Sequence, residues 1–470
     1  MNRAFGVTPL LLLTMVACQD RSVAPMAVRP AFAAAAPAAC PAHVDFVVTD
    51  QASLESAVAS AQPNDTIALS GMIELTFSPQ IFVETDNLTF TCATPGSGLR
   101  AAPATVSWLF VLLSRHVTVE RLTLDAGNTV SGAVVAFNGV EGPFTGYAED
   151  VRLVGNHVFC AGQHLEPCVS IRNDAAGVPG VVISGNTFEA DANQFTIFLV
   201  GVNDARVEGN TIEGGLGLGG FSDPAILIAV SRGRFTGNRA QCADACLFAA
   251  GSPGLVVAAN QFQTAGSSTG IHLQEGTDGD SVVGNTIVTT APSFAPQFGG
   301  IRVRDGANVV VTDNIVRGPW ANSIALTDLT GADVERNSLQ GAARFGIGVA
   351  TEASFLPIFM TDNTFRANRA TGAGIAGISG QLACRNTFVG NDLRGNAGNV
   401  GLVLNETTGA NTFAGNATLV VDNGAFDCNG DGVNDPNIIS GPGMARHGLQ
   451  LGGVGSGTDT QRTVHGILVK

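Results

Sequence analysis

Lysine is almost missing from this chain; its one copy, Lys470, is the last residue. Tyrosine also occurs once and tryptophan twice, against 26 phenylalanines. Charged side chains make up 13% of the 470 residues, about half the usual share. So little charge leaves few solvated helix faces and disfavours a helical bundle. A lysine base along the body of the chain is excluded. Acidic residues outnumber basic ones by 39 to 24, for a net charge of −15. That balance speaks against nucleic acid as a partner and against passive attraction to anionic polymers. No Cys-x-x-Cys pair occurs and histidines number seven, so a zinc centre is not expected. Beyond the first 18 residues no apolar run is long enough to cross a bilayer. What the chain does have is 59 glycines and 45% hydrophobic residues, with abundant Val, Ile, Asn and Thr. That combination suits β-structure with many turns and a sizeable core.

Residues 1–17 read as a secretory signal peptide: Arg3, then an apolar run through Leu10–Leu13 to Ala17. Met15-Val16-Ala17-Cys18 resembles the lipobox of bacterial lipoproteins, in which the cysteine after the cut is acylated; Met15 departs from the leucine preferred there. Cys18 is therefore the expected lipidation site and residues 18–43 an Ala/Pro-rich tether. The expected location is the bacterial cell envelope outside the cytoplasm, with the membrane touched only through the lipid. An ordinary signal peptide cut elsewhere is the other reading. Setting Cys18 aside leaves eight cysteines, an even number suited to disulfides in an oxidising compartment. Cys160/Cys168 and Cys242/Cys246 are close enough to staple loops. Cys40, Cys92, Cys384 and Cys428 have no assigned connectivity.

From residue 151 one phrase keeps returning: an apolar strand, a glycine or small residue, then asparagine. It falls on Asn156, Asn186, Asn210, Asn238, Asn260, Asn285, Asn314, Asn337, Asn363, Asn391 and Asn416. From 156 to 416 is 260 residues in ten steps, a mean period of 26. A second apolar phrase lies between, at Ile226, Ile271, Ile301, Ile324, Ile347 and Ile375. Two phrases locked in one period mean one structural coil per repeat. Apolar residues stand three before and two after the asparagine, with Arg, Ser, Glu or Thr between, an alternation of period two. Such strands stack into a solenoid with inward columns, and a corner Asn can bond both its own turn and the Asn above and below.

These motifs resemble the right-handed parallel β-helix proteins of the pectin lyase-like superfamily, over residues 44–425. Asp50–Gly71 resembles that group's opening, a short helix over the end of the coil. Asp50 or Ser53 caps it, Leu54, Ala57, Val58 and Ala61 form one apolar face, and Pro63-Asn64-Asp65 ends it. The resemblance implies an all-β fold: a single-stranded right-handed parallel β-helix of about twelve coils, with residues 426–470 as cap or tail. Enzymes of this superfamily are mostly polysaccharide lyases and glycoside hydrolases. Their neighbouring Asp pair, Gly-His-Gly, Arg-Ile-Lys, pectate lyase calcium cluster and methylesterase signatures are not found here. No catalytic residue carries over.

The second phrase nevertheless gathers polar groups. Its outward positions read Ser170, Phe198, Leu227, Phe248, His272, Arg302, Ala325, Gly348 and Ala376. A parallel column reads Arg172, Val200, Ala229, Ala250, Gln274, Arg304, Thr327 and Ala350. His272, Arg302 and Arg304 are the candidate catalytic residues, because guanidinium forks suit a carboxylate and imidazole titrates near neutrality. Gln274, Glu275 and Asp305 are the candidate ligand-binding residues. The expected partner is polysaccharide, bound and, in an enzyme, cleaved by a lyase or hydrolase reaction. The alternative is a surface ion-pair ladder on a non-catalytic structural or adhesive rod. Phe198, Leu227 and Phe248 stack sugar rings or lie under a loop such as 214–224. His157, His164 and Glu166 read as solvated surface groups, and Arg152, Arg206 and Arg234, with Glu208 beside them, as cross-rung ion pairs.

Asp427-Cys428-Asn429-Gly430-Asp431-Gly432-Val433-Asn434-Asp435 resembles the calcium loops of dockerin-like and thrombospondin-type repeats. Asp427, Asn429, Asp431 and Asp435 are the candidate ligands, and calcium the one expected cofactor. Ile438 stands where an EF-hand has its bidentate carboxylate, and a turn-rich connector is the other reading.

Overall fold

A computed structural model describes residues 39–447, except 77–80, 103–105, 128, 130, 142–143, 161–166, 174–177, 191–194, 214–224, 243–244, 265–268, 293–298, 350–359, 406, 417–418 and 441–445. Cys18, most of the tether, His164, Glu166, Ala350 and loop 214–224 lie outside the described residues.

The described chain is a right-handed parallel β-solenoid of about 13 turns, one more than the sequence suggests. Each full coil gives one strand to each of three parallel sheets. Arg152–Val154 lies in sheet A, His157–Cys160 in sheet B and Val169–Asn173 in sheet C. Sheet A holds 16 strands, from Phe46–Val48 to Ile438–Ser440, and sheet B 12, from Met72–Leu75 to Arg369–Thr371. Sheet C begins at Ile81–Val83; its one antiparallel partner is Phe144–Tyr147, hairpinned on Gly132–Glu141.

The corner between sheets A and B follows from two residues. The first has left-handed backbone: φ is 64° at Gly155, 63° at Gly185, 56° at Ala259 and 50° at Arg336. Glycine adopts this without strain, which explains its frequency there. The second is a buried asparagine. Asn156 Nδ2 donates to Asn186 Oδ1 at 3.0 Å and to Val119 O at 2.8 Å, while the Asn156 N–H donates to the same Oδ1 at 2.8 Å. The pattern continues through Asn210, Asn238, Asn260, Asn285, Asn314, Asn337, Asn368 and Asn391 to Asn416. Every side-chain donor and acceptor inside the ladder is satisfied without water.

Asn363 is not in this ladder. Its place belongs to Asn368, and Asn363 starts a second ladder with Asn386, Asn411 and Asn437, at the corner where sheet C turns into sheet A. Both asparagines follow a residue of positive φ, Asp362 at 58° and Ala367 at 53°, so the same local motif serves two corners.

Inward residues form one continuous core. Phe365, Phe388 and Phe413 stack along the axis with ring centres 4.5 and 4.8 Å apart, matching the spacing of the coils. Helix α1, Gln51–Ser60, closes the N-terminal end with Leu54 and Ala57 buried. Asp50 and Ser53 act together as a capping box, the Asp50 carboxylate accepting the Ser53 N–H at 2.7 Å. Three disulfides are present: Cys40–Cys92, Cys242–Cys246 and Cys384–Cys428. The suggested Cys160/Cys168 staple is not closed. The two are neighbouring buried thiols, and burial, followed by contact with Cys168, pushes the Cys160 pKa well up.

Candidate functional site on sheet C

Strand pairing fixes which side chains share a column on the outside of sheet C. Phe82, Val111, Val135, Ser170, Phe198, Ile226, Phe248, His272, Arg302, Ala325 and Gly348 stand on successive coils, followed by Ser379. Three positions differ from the sequence alignment. Ile226 takes the place expected of Leu227, which is turned into the core at 1% exposure. Ile228 replaces Ala229, which has left the strand with φ of 53°. Ser379 replaces Ala376, which pairs with Phe345 instead. A slip of one residue reverses the face of a strand.

The central cluster is assembled as expected. His272 lies opposite Arg302 on the next coil, one rung or about 4.8 Å away. The imidazole packs edge-on against Phe248, with ring centres 5.1 Å apart at 88°. Its buried Nε2 has no hydrogen-bond partner among the described residues. Burial, then the charges of Arg302 and Arg304, push the His272 pKa down to about 3; a hydrogen bond with the Gln274 side chain pulls weakly the other way. The ring is therefore neutral at physiological pH. Arg302 is only 9% exposed. Arg304 donates through Nε to Asp305 Oδ2 at 2.7 Å, and Gln274 Nε2 makes a long contact of 3.4 Å with Glu275 Oε1.

Sequence reasoning missed Asp328. Arg304 pairs with Thr327 and Gly306 with Leu329, so Asp305 and Asp328 stand opposite each other on adjacent coils. Both occupy left-handed corners, with φ of 60° and 54°, as does Glu275 at 58°. Partial burial, then the Asp305 charge and a hydrogen bond with it, raise the Asp328 pKa, against the pull of Arg304. The signal was faint: Thr327-Asp328 reads as an ordinary turn until the coils are paired.

Two other groups resolve into local pairs. His157 Nε2 lies 2.7 Å from Glu189 Oε1, on an exposed face of sheet B. Arg206 holds Glu208 of its own strand at 2.7 Å, instead of a partner on the next coil.

The Asp427–Asp435 loop precedes the last strand of sheet A, Ile438–Ser440, and is tied to the coil by Cys384–Cys428. Asp427 Oδ1 accepts the Asn429, Gly430 and Asp431 N–H groups and its Oδ2 that of Gly432, holding the carboxyl below its usual range. Asn429 Nδ2 donates to Asp431 Oδ2 at 3.1 Å. Asp435 Oδ2 accepts the Cys428 N–H at 2.9 Å. As arranged, no three His, Cys, Asp or Glu side chains among the described residues make a metal cage. Asn429 Oδ1 accepts the Asp431 N–H at 2.9 Å.

Residues 245–418 match the family described as "Right handed beta helix region". No curated protein matches the sequence. Solved structures with a similar coil include the alginate lyase AlyF-OU02 in complex with G6, at 12% identity and TM-score 0.48, covering 77% of this chain and 84% of that one. Another is the GH87 α-1,3-glucanase of Streptomyces thermodiastaticus strain HF3-3, at 14% and 0.45, covering 89% and 71%. A third is the A-module of the Azotobacter vinelandii mannuronan C-5 epimerase AlgE6, at 15% and 0.36, covering 85% and 93%. All three are named for a polysaccharide. The likeness lies in the coil and transfers no site residue.

Proposed function

We propose that the protein is a lipid-anchored, extracytoplasmic β-helix that binds polysaccharide along the outside of sheet C, and that His272, Arg302 and Arg304 form its anionic-sugar site. The observation that carries this reading is the register of His272 against Arg302, with a buried ring nitrogen beside two guanidinium groups. A partly buried cation pair in a chain of net charge −15 favours a carboxylate ligand at that place. In the free protein His272 is too weak a base to take a proton. A carboxylate seated on Arg302 and Arg304 offsets the charges that, after burial, depress it, and so raises its basicity. In an elimination, His272 would take the proton on the carbon beside a uronate carboxylate neutralised by the arginines, the electron pair would form the ring double bond as the neighbouring glycosidic C–O bond breaks, and the leaving oxygen would take a proton from water. Gln274 would orient the ring, with Glu275 and Asp305 framing the arginines.

A panel of neutral and acidic polysaccharides, scored for retention and for release of reducing or unsaturated ends, tests this. Arg302→Ala and His272→Ala should abolish binding or turnover while circular dichroism shows the coil still folded. Retention of wild-type glycan binding by both variants would refute the site. The competing reading, a rod with no glycan ligand, draws on the low exposure of Ser170 at 0% and Ala325 at 1% in the same column. It predicts no retention by any member of the panel. Calcium at Asp427, Asn429, Asp431 and Asp435 and acylation at Cys18 belong to the same proposal.

A further inference from the structure

At the N-terminal end of sheet C a cleft of about 520 Å³ opens between helix α1 and the first strands. It lies seven coils before His272 in the same outward column, and its argument does not depend on the polysaccharide reading. Helix α1 spends one face on the core through Leu54 and Ala57 and presents Glu55, Val58 and Ala59 to the cleft. The opposite wall is Ile81, Phe82 and Phe144, with Glu84 and Thr85 alongside. The Phe82 and Phe144 rings meet at 5.0 Å between centres and 35° between planes, so they form a shallow aromatic V.

Its charge is one-sided. Among the described residues, two carboxylates and no basic side chain line the space. Glu55 is also fixed in place: Gln51 Nε2 donates to Glu55 Oε1 at 2.7 Å, while Gln51 Oε1 accepts the Thr76 N–H at 2.9 Å. A neutral apolar occupant would strip water from the carboxylates without replacing it, and an anion would be repelled. A cation satisfies the carboxylates and also lies well on an aromatic face. The volume is within the range of small-ligand sites.

We propose that this cleft binds a small organic cation with an apolar body, its ammonium or guanidinium group between Glu55 and Glu84 and its apolar part on Phe82 and Phe144. Trp108 reports on the site, because it packs in the cluster that Phe82 and Phe144 adjoin, whereas the only other tryptophan, Trp320, is fully buried in the main core.

Phenethylamine is titrated into the full-length protein and followed by tryptophan fluorescence, with 2-phenylethanol as the uncharged counterpart. Saturable binding of the amine is expected, at least about tenfold tighter than the alcohol, and weakened about tenfold by Glu84→Gln or Glu55→Gln. Phe144→Ala should weaken both probes, and unchanged melting of the Glu→Gln variants shows that the cap is intact. Equal binding of amine and alcohol, indifference to both Glu→Gln changes, or no saturable signal into the millimolar range would each overturn the proposal. These outcomes are independent of glycan retention at His272 and Arg302.

Discussion

A single asparagine in the main ladder answers for four hydrogen bonds. Asn260 Oδ1 accepts the Asn238 N–H at 2.8 Å and its Nδ2 at 3.1 Å, and Asn260 Nδ2 donates to Phe235 O at 2.8 Å and Asn285 Oδ1 at 2.9 Å. Asn260→Ala leaves several buried partners unpaired. Chemical denaturation should show a loss of about 3–5 kcal/mol, counted as a few orphaned groups at 1–3 each. Asp280 is a second residue with a legible thermodynamic signature. Burial pushes its pKa up to about 7, although its Oδ1 accepts the Leu255 N–H at 2.8 Å. A raised carboxyl pKa means that the folded chain holds a proton the unfolded chain has released, so stability falls as pH rises from about 4 through 7. The full span is on the order of 4 kcal/mol at 1.36 per unit. Asp280→Asn keeps an oxygen for Leu255 and removes this contribution, so melting curves should show the variant gaining stability at pH 8 over pH 5 relative to the wild type.

At the scale of elements, much of the architecture could be read and its faults have local causes. The Gly-Asn corners stand out because a left-handed residue followed by a buried amide restricts the choice of side chain. Ala367-Asn368 fits the same phrase, but Asp362-Asn363 lies five residues earlier with the same backbone, and the spacing alone does not show which of the two belongs to the main ladder. Sheet C was harder. Ala225–Ile228 is apolar at every position, and without alternation nothing in the sequence says which of Ile226 and Leu227 points out. His272 and Arg302 fell in the right columns because charged residues between apolar ones do alternate. The Asp305–Asp328 pair depends on which coil neighbours which, and no short stretch carries that information. Two predictions belong here. Oxidation of the folded protein should join Cys160 to Cys168, since the thiols already touch and the chain carries three other disulfides; intact mass should drop by two hydrogens and the change should be lost in Cys160→Ser. Calcium should raise the melting temperature of the wild type, and Asp431→Ala should remove the increment. A flat response into the millimolar range would leave the loop a connector.

Across the molecule, two buried titrating groups oppose each other. His272, held down to about 3, contributes stability above its unfolded pKa of 6.5 that is lost as pH falls toward 3, opposite in sign to Asp280. Between about 4 and 6.5 the two slopes offset, and above 6.5 Asp280 acts alone. The melting temperature should therefore be nearly level in mild acid, fall slightly between about pH 6.5 and 7, and be level again above that. His272→Gln should convert the level region into a decline with rising pH. The anchor is tested separately: Cys18→Ser should release the protein from membranes, and mass spectrometry of the wild type should find an acylated Cys18 at the mature N-terminus.

The asparagine columns also have a direction. Along each one, Oδ1 receives from the preceding coil and Nδ2 gives to the following one, so the side-chain amide dipoles add like magnets laid end to end. The electron-poor pole of both columns lies at the C-terminal coils. There the shorter column finishes on a carboxylate, Asn437 Nδ2 donating to Asp422 Oδ1 at 2.9 Å. Asp427, Asp431 and Asp435 crowd the same end. An anion at the positive pole of an aligned array is a favourable terminus, as at the first turn of a helix. The solenoid is thus a vector as well as a scaffold, and the acidic residues at its tail serve as the counter-charge that brings the field to a close.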